Sequence, residues 1–338
     1  MIKSTQGYFY KLAWFLTPFA LFIAVYAIMD PFHVIYKMDS ESSDFHWNRD
    51  VLSSKLFIDN YEKYKYQSYI FGSSRSLAYS TMDWAPYIKD TNIFHFDASA
   101  ESIFGVYTKI KYINNQGGLI KNALIVVDSS LFAQTKDWQT MLFCKYYKIA
   151  GTSPIEYQLV FFRSFCSNLF FVKYIDYCLF HVRRPYMKFV LPDKRKQYFF
   201  DPIHNNSPFP VVTDLHGMDS INFYNNKNNF PDRPTIPGTS ASIIKKDCLD
   251  MLEKIKEIFN KDNTHYKIII SPLYDQRVFN KDDLAKLRNV FGSENVYDYS
   301  GKNNITENKI NYYEISHYKP VVGRTILKEI YSNYSAFK

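Results

Sequence analysis

The sequence predicts an α/β protein in which helices cover both sides of a parallel sheet, behind one N-terminal transmembrane helix. Three observations predict this. Five short apolar runs alternate along the chain with amphipathic stretches, a pattern typical of parallel α/β sheets. An uncharged apolar stretch lies near the N-terminus, and a long aromatic segment interrupts the alternation in the middle of the chain.

The uncharged apolar stretch covers Leu12–Met29. About 20 apolar residues cross a bilayer as a helix, so this stretch is long enough for a single transmembrane anchor. Lys3 and Lys11 precede it, whereas Asp30 follows it directly. The positive-inside rule then leaves the N-terminus in the cytoplasm and places residues 31–338 in the periplasm or the extracellular space. A cleaved signal peptide is the alternative, although the apolar run is long for one.

The composition is that of a folded, basic and strongly aromatic chain. Its 338 residues include 29 tyrosines and 29 phenylalanines, and the formal net charge is +8. Because a membrane anchor argues against nucleic acid as a partner, the charge suits an anionic envelope polymer or a lipid surface. The cysteines fit no metal-binding spacing; they could pair in an exported protein, but apolar surroundings predict buried thiols for Cys144, Cys166, Cys178 and Cys248.

The chain is predicted to divide into a membrane anchor (residues 1–30), a linker (31–65) that leads into a first helix, and an α/β domain (66–338) that carries an insertion over 131–235. Strands are predicted where short apolar runs stand between turn residues, in SYIFG, NIFHFDAS, NALIVVDSS, HYKIIISPL and ENVYDYS. Amphipathic helices are predicted in ESIFGVYTKIKYINNQGG, SASIIKKDCLDMLEKIKEIFNKDN, KDDLAKLRNVFG and PVVGRTILKEIYSNY.

The insertion over residues 131–235 breaks this alternation. Its first half is very aromatic, and apolar residues surround the predicted helices instead of forming one stripe. Such a segment is either an ordinary buried insertion, or a lid or a surface that meets the membrane or a membrane partner. A basic stretch over 183–196 and a long loop rich in Asn and Pro over 204–238 follow, and long loops on a rigid scaffold often carry ligand contacts.

A Gly-Ser-Ser sequence follows the first predicted strand, in FGSSRS. It is either a turn whose hydroxyls satisfy nearby amides, or a turn that exposes Ser73 or Ser74 at the sheet edge where doubly wound folds bind ligands. His317 precedes the last predicted helix, with Glu314 three residues earlier. Because a carboxylate can orient an imidazole that takes a proton from a serine, this pattern predicts a serine, histidine and acid site.

The motifs FGSSRS and EISHY resemble those of the SGNH (GDSL-type) hydrolase superfamily. The likeness is greatest to membrane-anchored members that act in cell-envelope O-acylation, such as the D-alanyl transfer protein of teichoic acids and alginate acetylation proteins. It covers residues 66–130 and 265–334, and it implies a three-layer flavodoxin-like domain with Ser74 as nucleophile and His317 as base. The family has an aspartate where this chain has Glu314, so that role is either kept with shifted geometry or dispensable.

The resemblance also implies three oxyanion donors, namely the amide of the nucleophile, a glycine after the second strand and an asparagine after the third. These positions fall on Ser74, on Ser99 and Ala100, and on Ser129 or Ser130. Ala100 and Ser130 are the candidates for the last two positions, and both depart from the residue types of the family. A missing donor costs about a hundredfold or more in rate. Arg75 is a candidate either for binding an anionic group of the substrate or for an ion pair with Asp128.

The anchor and the resemblance together imply serine-dependent acyl transfer to a hydroxyl of an envelope polysaccharide. A carbohydrate esterase and a non-catalytic accessory subunit remain open as alternatives. The resemblance implies no metal or organic cofactor. As partners it implies the polysaccharide or an acylated carrier, and a membrane-bound O-acyltransferase that delivers the acyl group.

Overall fold

The computed structural model describes residues 2–36, 48–187, 201–207 and 220–332. Part of the expected linker (37–47) and parts of the expected insertion (188–200 and 208–219) lie outside the described residues. The chain forms two compact units. The anchor unit comprises Met1–Trp47 and Pro154–Gln197, and the sheet unit comprises Asn48–Ser153 and Tyr198–Lys338.

The sheet unit contains a five-stranded parallel sheet in the order β2-β1-β3-β4-β5. The strands are β1 (Ser68–Gly72), β2 (Ile93–Asp97), β3 (Asn122–Val127), β4 (His265–Ile270) and β5 (Val296–Asp298). Each coincides with one of the five apolar runs from which a strand is predicted. The α/β class with a parallel sheet is therefore confirmed.

Nine longer helices accompany the sheet in the described residues: α1 (Ile2–Met29), α2 (Arg49–Tyr64), α3 (Thr81–Ile88), α4 (Ile103–Asn115), α5 (Pro154–Cys166), α6 (Phe170–Phe180), α7 (Lys246–Asp262), α8 (Lys281–Phe291) and α9 (Pro320–Ser332). Shorter helical segments are Ser74–Ala78, Ser129–Phe132, Tyr147–Ala150, Ser167–Leu169, Pro185–Met187, Ser220–Asn225, Ser293–Asn295, Asn304–Glu307 and Lys309–Asn311. The four predicted amphipathic helices correspond to α4, α7, α8 and α9.

Helices cover both faces of this sheet. Alternate residues of a strand point to opposite faces. On one face, Ile125 and Ile268 pack with side chains of α4, α7 and α8. On the other face, Leu124 and Ile269 belong to a buried cluster that includes side chains of α3 and α9. The sheet unit therefore has three layers, and the carboxyl ends of its strands meet at one edge.

Helix α2 lies within the segment that the sequence assigns to a linker (31–65). Asn48 caps its start by accepting hydrogen bonds from the first backbone amides of the helix. Phe57 is fully buried and its ring packs on those of Phe94 and Phe96 in β2. The expected linker is therefore too long, because residues 49–64 belong to the core of the sheet unit.

In the anchor unit, α1 contains a 23-residue stretch, Gly7–Met29, that is long and apolar enough to span a membrane. The rings of Phe22 and Tyr26, near the end of α1, contact those of Phe162 and Phe165 in α5. This part of the expected insertion thus packs with the anchor helix, whereas residues 131–153 belong to the sheet unit.

Two of the four thiols differ from the expected burial. Cys144 and Cys248 are buried, whereas Cys166 is exposed and Cys178 is half-buried. The two exceptions lie on α5 and α6, whose apolar residues occupy more than one side while only one side packs. Apolar surroundings in sequence therefore did not guarantee burial there.

Candidate active site

The FGSSRS segment forms the turn that leaves the carboxyl end of β1. Gly72 ends the strand, and a short 3-10 helix runs over Ser74–Ala78. A Cβ atom at Gly72 would stand 2.7 Å from the carbonyl oxygen of Val126 in β3, so a residue without a side chain is required there. The Ser73 hydroxyl caps the turn by accepting a hydrogen bond from the amide of Arg75 at 3.4 Å. This close packing brings Ser74 to the edge of the sheet.

Glu314 and His317 lie on a short antiparallel hairpin. Its strands are β6 (Tyr312–Glu314) and β7 (His317–Tyr318), and Glu314 is paired with His317 across it. The Tyr312 hydroxyl donates to the carbonyl oxygen of Pro272 at 3.0 Å, and the Tyr318 hydroxyl lies 3.2 Å from the Ser271 hydroxyl. The hairpin is therefore held against the chain that leaves β4.

Ser74, His317 and Glu314 form one continuous chain of hydrogen bonds. The Ser74 Oγ lies 2.7 Å from the His317 Nε2, and the His317 Nδ1 hydrogen-bonds to the Glu314 Oε1. A carboxylate beside Nδ1 holds a proton on that nitrogen, which leaves Nε2 as the acceptor for the Ser74 hydroxyl. The arrangement can therefore remove the hydroxyl proton from Ser74 and orient the base that takes it.

The Glu314 carboxylate is suited to remain ionised in this chain. Burial raises its pKa, but hydrogen bonds from His317 and from the Ser316 amide, together with nearby positive charge, outweigh burial and lower the pKa overall. Its side chain is 35% exposed and that of His317 is 19% exposed. The extra methylene relative to aspartate thus does not prevent contact with the imidazole, and solvent reaches the acid end of the chain.

Arg75 and Asp128 form an ion pair beside this site. The Arg75 Nη1 donates to the Asp128 Oδ2 at 2.6 Å, and the Arg75 Nε donates to the carbonyl oxygen of Ser316 at 3.1 Å. Asp128 follows β3, whereas Ser316 lies in the turn of the hairpin. Of the two roles considered for Arg75, the structure shows the ion pair. Together with the bond to Ser316, it ties the turn that carries Ser74 to the hairpin that carries His317.

The two other oxyanion candidates differ in their surroundings. Ala100 lies in the loop after β2, is exposed and has a left-handed backbone, with φ of 46°. The amide of Ser130 donates to Asp128 at 2.8 Å, and its hydroxyl donates to the same carboxylate. Both donors of Ser130 are therefore engaged, which makes this residue unsuited to the role expected of it. Ser74 remains a candidate through its own amide, at the first residue of its turn.

A second serine and histidine pair lies beneath the turn that carries Ser74, and sequence reasoning missed it. The Ser76 Oγ lies 2.8 Å from the His95 Nε2, and the Ser76 hydroxyl donates to the carbonyl oxygen of Ser73 at 2.7 Å. Both side chains are buried. The interior position of His95 in the apolar run IFHFD was the signal that could have identified it.

Buried charges brace the loop after β2. The Arg49 Nε donates to the Asp97 Oδ2 at 2.9 Å, and the Arg49 Nη2 donates to the Asp97 Oδ1 at 2.9 Å. Lys109 and Lys145 pair with Glu101 at 2.5 and 2.6 Å. Because ionised groups lose solvation when buried, such groups are stable only when paired. The pairs hold both sides of the loop that contains Ala100.

No protein-family model matches this chain, and no curated protein matches it.

Proposed function

We propose that the protein is an SGNH-type enzyme that transfers an acyl group to a hydroxyl of an extracytoplasmic polysaccharide, using Ser74 as the nucleophile. The observation that carries this proposal is the hydrogen-bonded chain from Ser74 through His317 to Glu314. The strand order β2-β1-β3-β4-β5 supports it, because flavodoxin-like doubly wound sheets have this order and bind ligands at the carboxyl edge.

The proposed chemistry has two halves. In the first, the Ser74 Oγ attacks the carbonyl carbon of an acyl ester or thioester while the His317 Nε2 takes the hydroxyl proton. The leaving alkoxide or thiolate then departs with that proton, and the acyl group stays on Ser74 as an ester. In the second half, His317 takes the proton of a sugar hydroxyl while the sugar oxygen attacks the carbonyl carbon of this ester. The bond from that carbon to the Ser74 oxygen breaks, and the Ser74 oxygen takes the proton back from His317.

Glu314 stabilises the charged imidazole that forms in both halves. Its pKa is lowered, so it stays ionised and carries the charge opposite to that of His317. Arg75 positions the catalytic elements through its bonds to Asp128 and to the hairpin turn. The substrate would be an envelope polysaccharide or an acylated carrier, and a membrane-bound O-acyltransferase is the partner implied by the family resemblance.

Hydrolysis is the second candidate reaction. The 35% exposure of the Glu314 side chain favours it, because water that reaches the site competes with a sugar hydroxyl for the acyl-enzyme. An esterase and a transferase share the first half of the reaction and differ only in the acceptor. A non-catalytic accessory subunit would not form the acyl-enzyme at all.

Labelling with a fluorophosphonate tests the nucleophile. We expect the full chain in detergent to react at Ser74, and Ser74→Ala to abolish the reaction. Ser73→Ala is the matched control. Ser73 is buried and its hydroxyl contacts the Arg75 amide, not His317, so this variant should still react. Absence of labelling in the parent protein, or unchanged labelling in Ser74→Ala, would reject the proposed enzyme and favour the accessory subunit.

The acceptor is tested separately with an activated acetyl ester. Partition of the acetyl group between water and added oligosaccharide separates the two reactions. Acetylated oligosaccharide supports the transferase, whereas release of acetate alone supports the esterase.

A further inference from the structure

We propose that the turn between α5 and α6 inserts into the lipid leaflet at the carboxyl end of α1. This inference rests on the proposed topology, in which α1 crosses the membrane. The segments concerned, α1, α5 and α6, all belong to the anchor unit.

The contacts between α1 and α5 set the direction of the hairpin. Near the end of α1, the Tyr26 hydroxyl donates to the Gln158 side chain at 3.2 Å. One turn earlier, the ring of Phe22 lies 5.3 Å from that of Phe165 and 5.0 Å from that of Phe171. As residue numbers rise along α5, they therefore fall along α1. The turn that follows α5 points back along the membrane-spanning helix.

This direction places the turn below the membrane surface. A helix rises about 1.5 Å per residue, so Phe22 lies about 6 Å before Tyr26 and about 10 Å before Met29 along α1. A hydrocarbon layer of about 30 Å corresponds to about 20 helical residues, so a layer that starts at Gly7 ends near Ala27, and a layer that starts at Leu12 ends beyond Met29. Groups packed on Phe22 are then about 7 Å inside the layer that starts at Gly7, the depth typical of interfacial helices, and deeper in the layer that starts at Leu12.

The surface of the turn is apolar where it faces outward. Leu169 is 61% exposed and Val172 is 45% exposed. Large exposed apolar side chains next to one another indicate a surface that another apolar phase covers. On α1, the side chains from Tyr8 to Leu21 are exposed on all sides, as expected for lipid contact.

The charges near the turn also fit lipid. Arg163 and Lys173 are the charged residues between residues 157 and 175, and no acidic residue occurs there. Long basic side chains can extend toward phosphate headgroups while their stems stay in the apolar layer. A protein partner could cover the same apolar surface, but the depth shared with Phe22 favours lipid as the occupant.

Depth-dependent quenching in vesicles tests the insertion. Leu169→Cys and Val172→Cys, each in a Cys166→Ser/Cys178→Ser background, carry an environment-sensitive fluorophore, because Cys144 and Cys248 are buried. The full-length protein is placed in vesicles of phosphatidylethanolamine and phosphatidylglycerol that contain nitroxide lipids. Leu21→Cys, next to Phe22, gives the reference inside the membrane, and Tyr36→Cys gives the reference beyond the end of α1.

We expect quenching at Leu169 and Val172 to lie within about twofold of quenching at Leu21. If Leu21 is quenched but both turn positions behave like Tyr36, the insertion is rejected while the anchor stands, and a protein partner becomes the occupant to seek. If Leu21 itself is not quenched, α1 does not span the membrane, and the topology and the insertion are rejected together.

Discussion

Three serines around Arg75 occupy three different environments. The Ser73 hydroxyl caps the turn, and the Ser76 hydroxyl bridges His95 and the backbone of Ser73. Ser74 is the one of the three whose hydroxyl meets His317. One turn thus assigns capping, support and the proposed nucleophilic attack to separate residues, which accounts for a serine-rich segment after a strand that ends in glycine.

Substitution of Glu314 tests whether this acid orients His317. Glu314→Gln should slow fluorophosphonate labelling of Ser74 by up to about ten-thousandfold, because an amide can hold the imidazole in the wrong tautomer. Glu314→Asp should keep part of the activity, since it preserves the charge. The measurement is the labelling rate of both variants against the parent across about pH 6 to 9. Near-identical rates for all three proteins would show that Glu314 has no role in the reaction. Ser74 and His317 would then act as a dyad.

His95 should make the folding stability depend on pH. Burial lowers the pKa of His95 to about 4 from 6.5, Asp97 opposes this shift, and Arg49 adds to it. Between these values the unfolded chain binds a proton that the folded chain excludes. Acidification from about pH 6.5 to 4 should therefore reduce the free energy of unfolding by about 1.4 kcal/mol per pH unit through this group.

Urea unfolding of the parent and of His95→Gln at several pH values measures this contribution. The parent should lose stability more steeply on acidification than His95→Gln, whatever the starting stability of the variant. Ser76→Ala is the control, because it removes the hydroxyl bonded to His95 and leaves the buried imidazole, so the steep slope should remain. Equal slopes for the parent and His95→Gln would contradict the prediction.

At the scale of elements, α9 packs through a glycine on the turn that carries Ser74, whose 3-10 helix is Ser74–Ala78. A Cβ atom at Gly323 would stand 2.1 Å from the carbonyl oxygen of Ala78, the last residue of that turn. Gly323→Ala should therefore separate α9 from the turn and reduce the free energy of unfolding by about 1–3 kcal/mol. Because α9 directly follows the hairpin that carries His317, labelling of Ser74 should slow as well.

Gly238→Ala is the matched control for that substitution. A Cβ atom at Gly238 would have no neighbour within 4 Å, so both stability and labelling should stay close to those of the parent. Urea unfolding and labelling rates measure the two effects. A Gly323→Ala protein as stable and as reactive as the Gly238→Ala protein would show that the close approach of α9 is not required.

The elements with strong local signals could be predicted from the sequence. The five strands are short apolar runs between turn residues, and α7 has a regular buried face that includes Cys248, Leu252, Ile255 and Phe259. The bounds of helix α2 could not be recognised, because its first turn buries the charged residues Arg49 and Asp50 and so lacks an amphipathic pattern. The hairpin around Glu314 and His317 is too short to show a strand period.

At the scale of the whole molecule, the units do not follow the order of the chain. The helices α5 and α6 come from the middle of the sequence but pack with α1 in the anchor unit. Their two apolar sides are consistent with packing on one side and exposure on the other, which a sequence pattern alone cannot distinguish from full burial. The buried charges near Asp97 were equally hidden, since charged residues normally indicate a surface, and Arg49 and Lys145 lie more than 40 residues away from their partners Asp97 and Glu101.

The topology of the chain decides whether an envelope polymer can be the acceptor. The apolar part of α1 is preceded by Lys3 and Lys11 and followed by Asp30, so the carboxyl terminus should lie outside the cytoplasm. An alkaline phosphatase fused there should be active and a green fluorescent protein should be dark, because the first needs export and the second folds poorly after it. Moving the phosphatase to the N-terminus is the control and should give an inactive fusion. If the phosphatase fused at the carboxyl terminus is inactive and the green fluorescent protein fused there is fluorescent, Ser74 lies in the cytoplasm. Extracytoplasmic acyl transfer is then excluded.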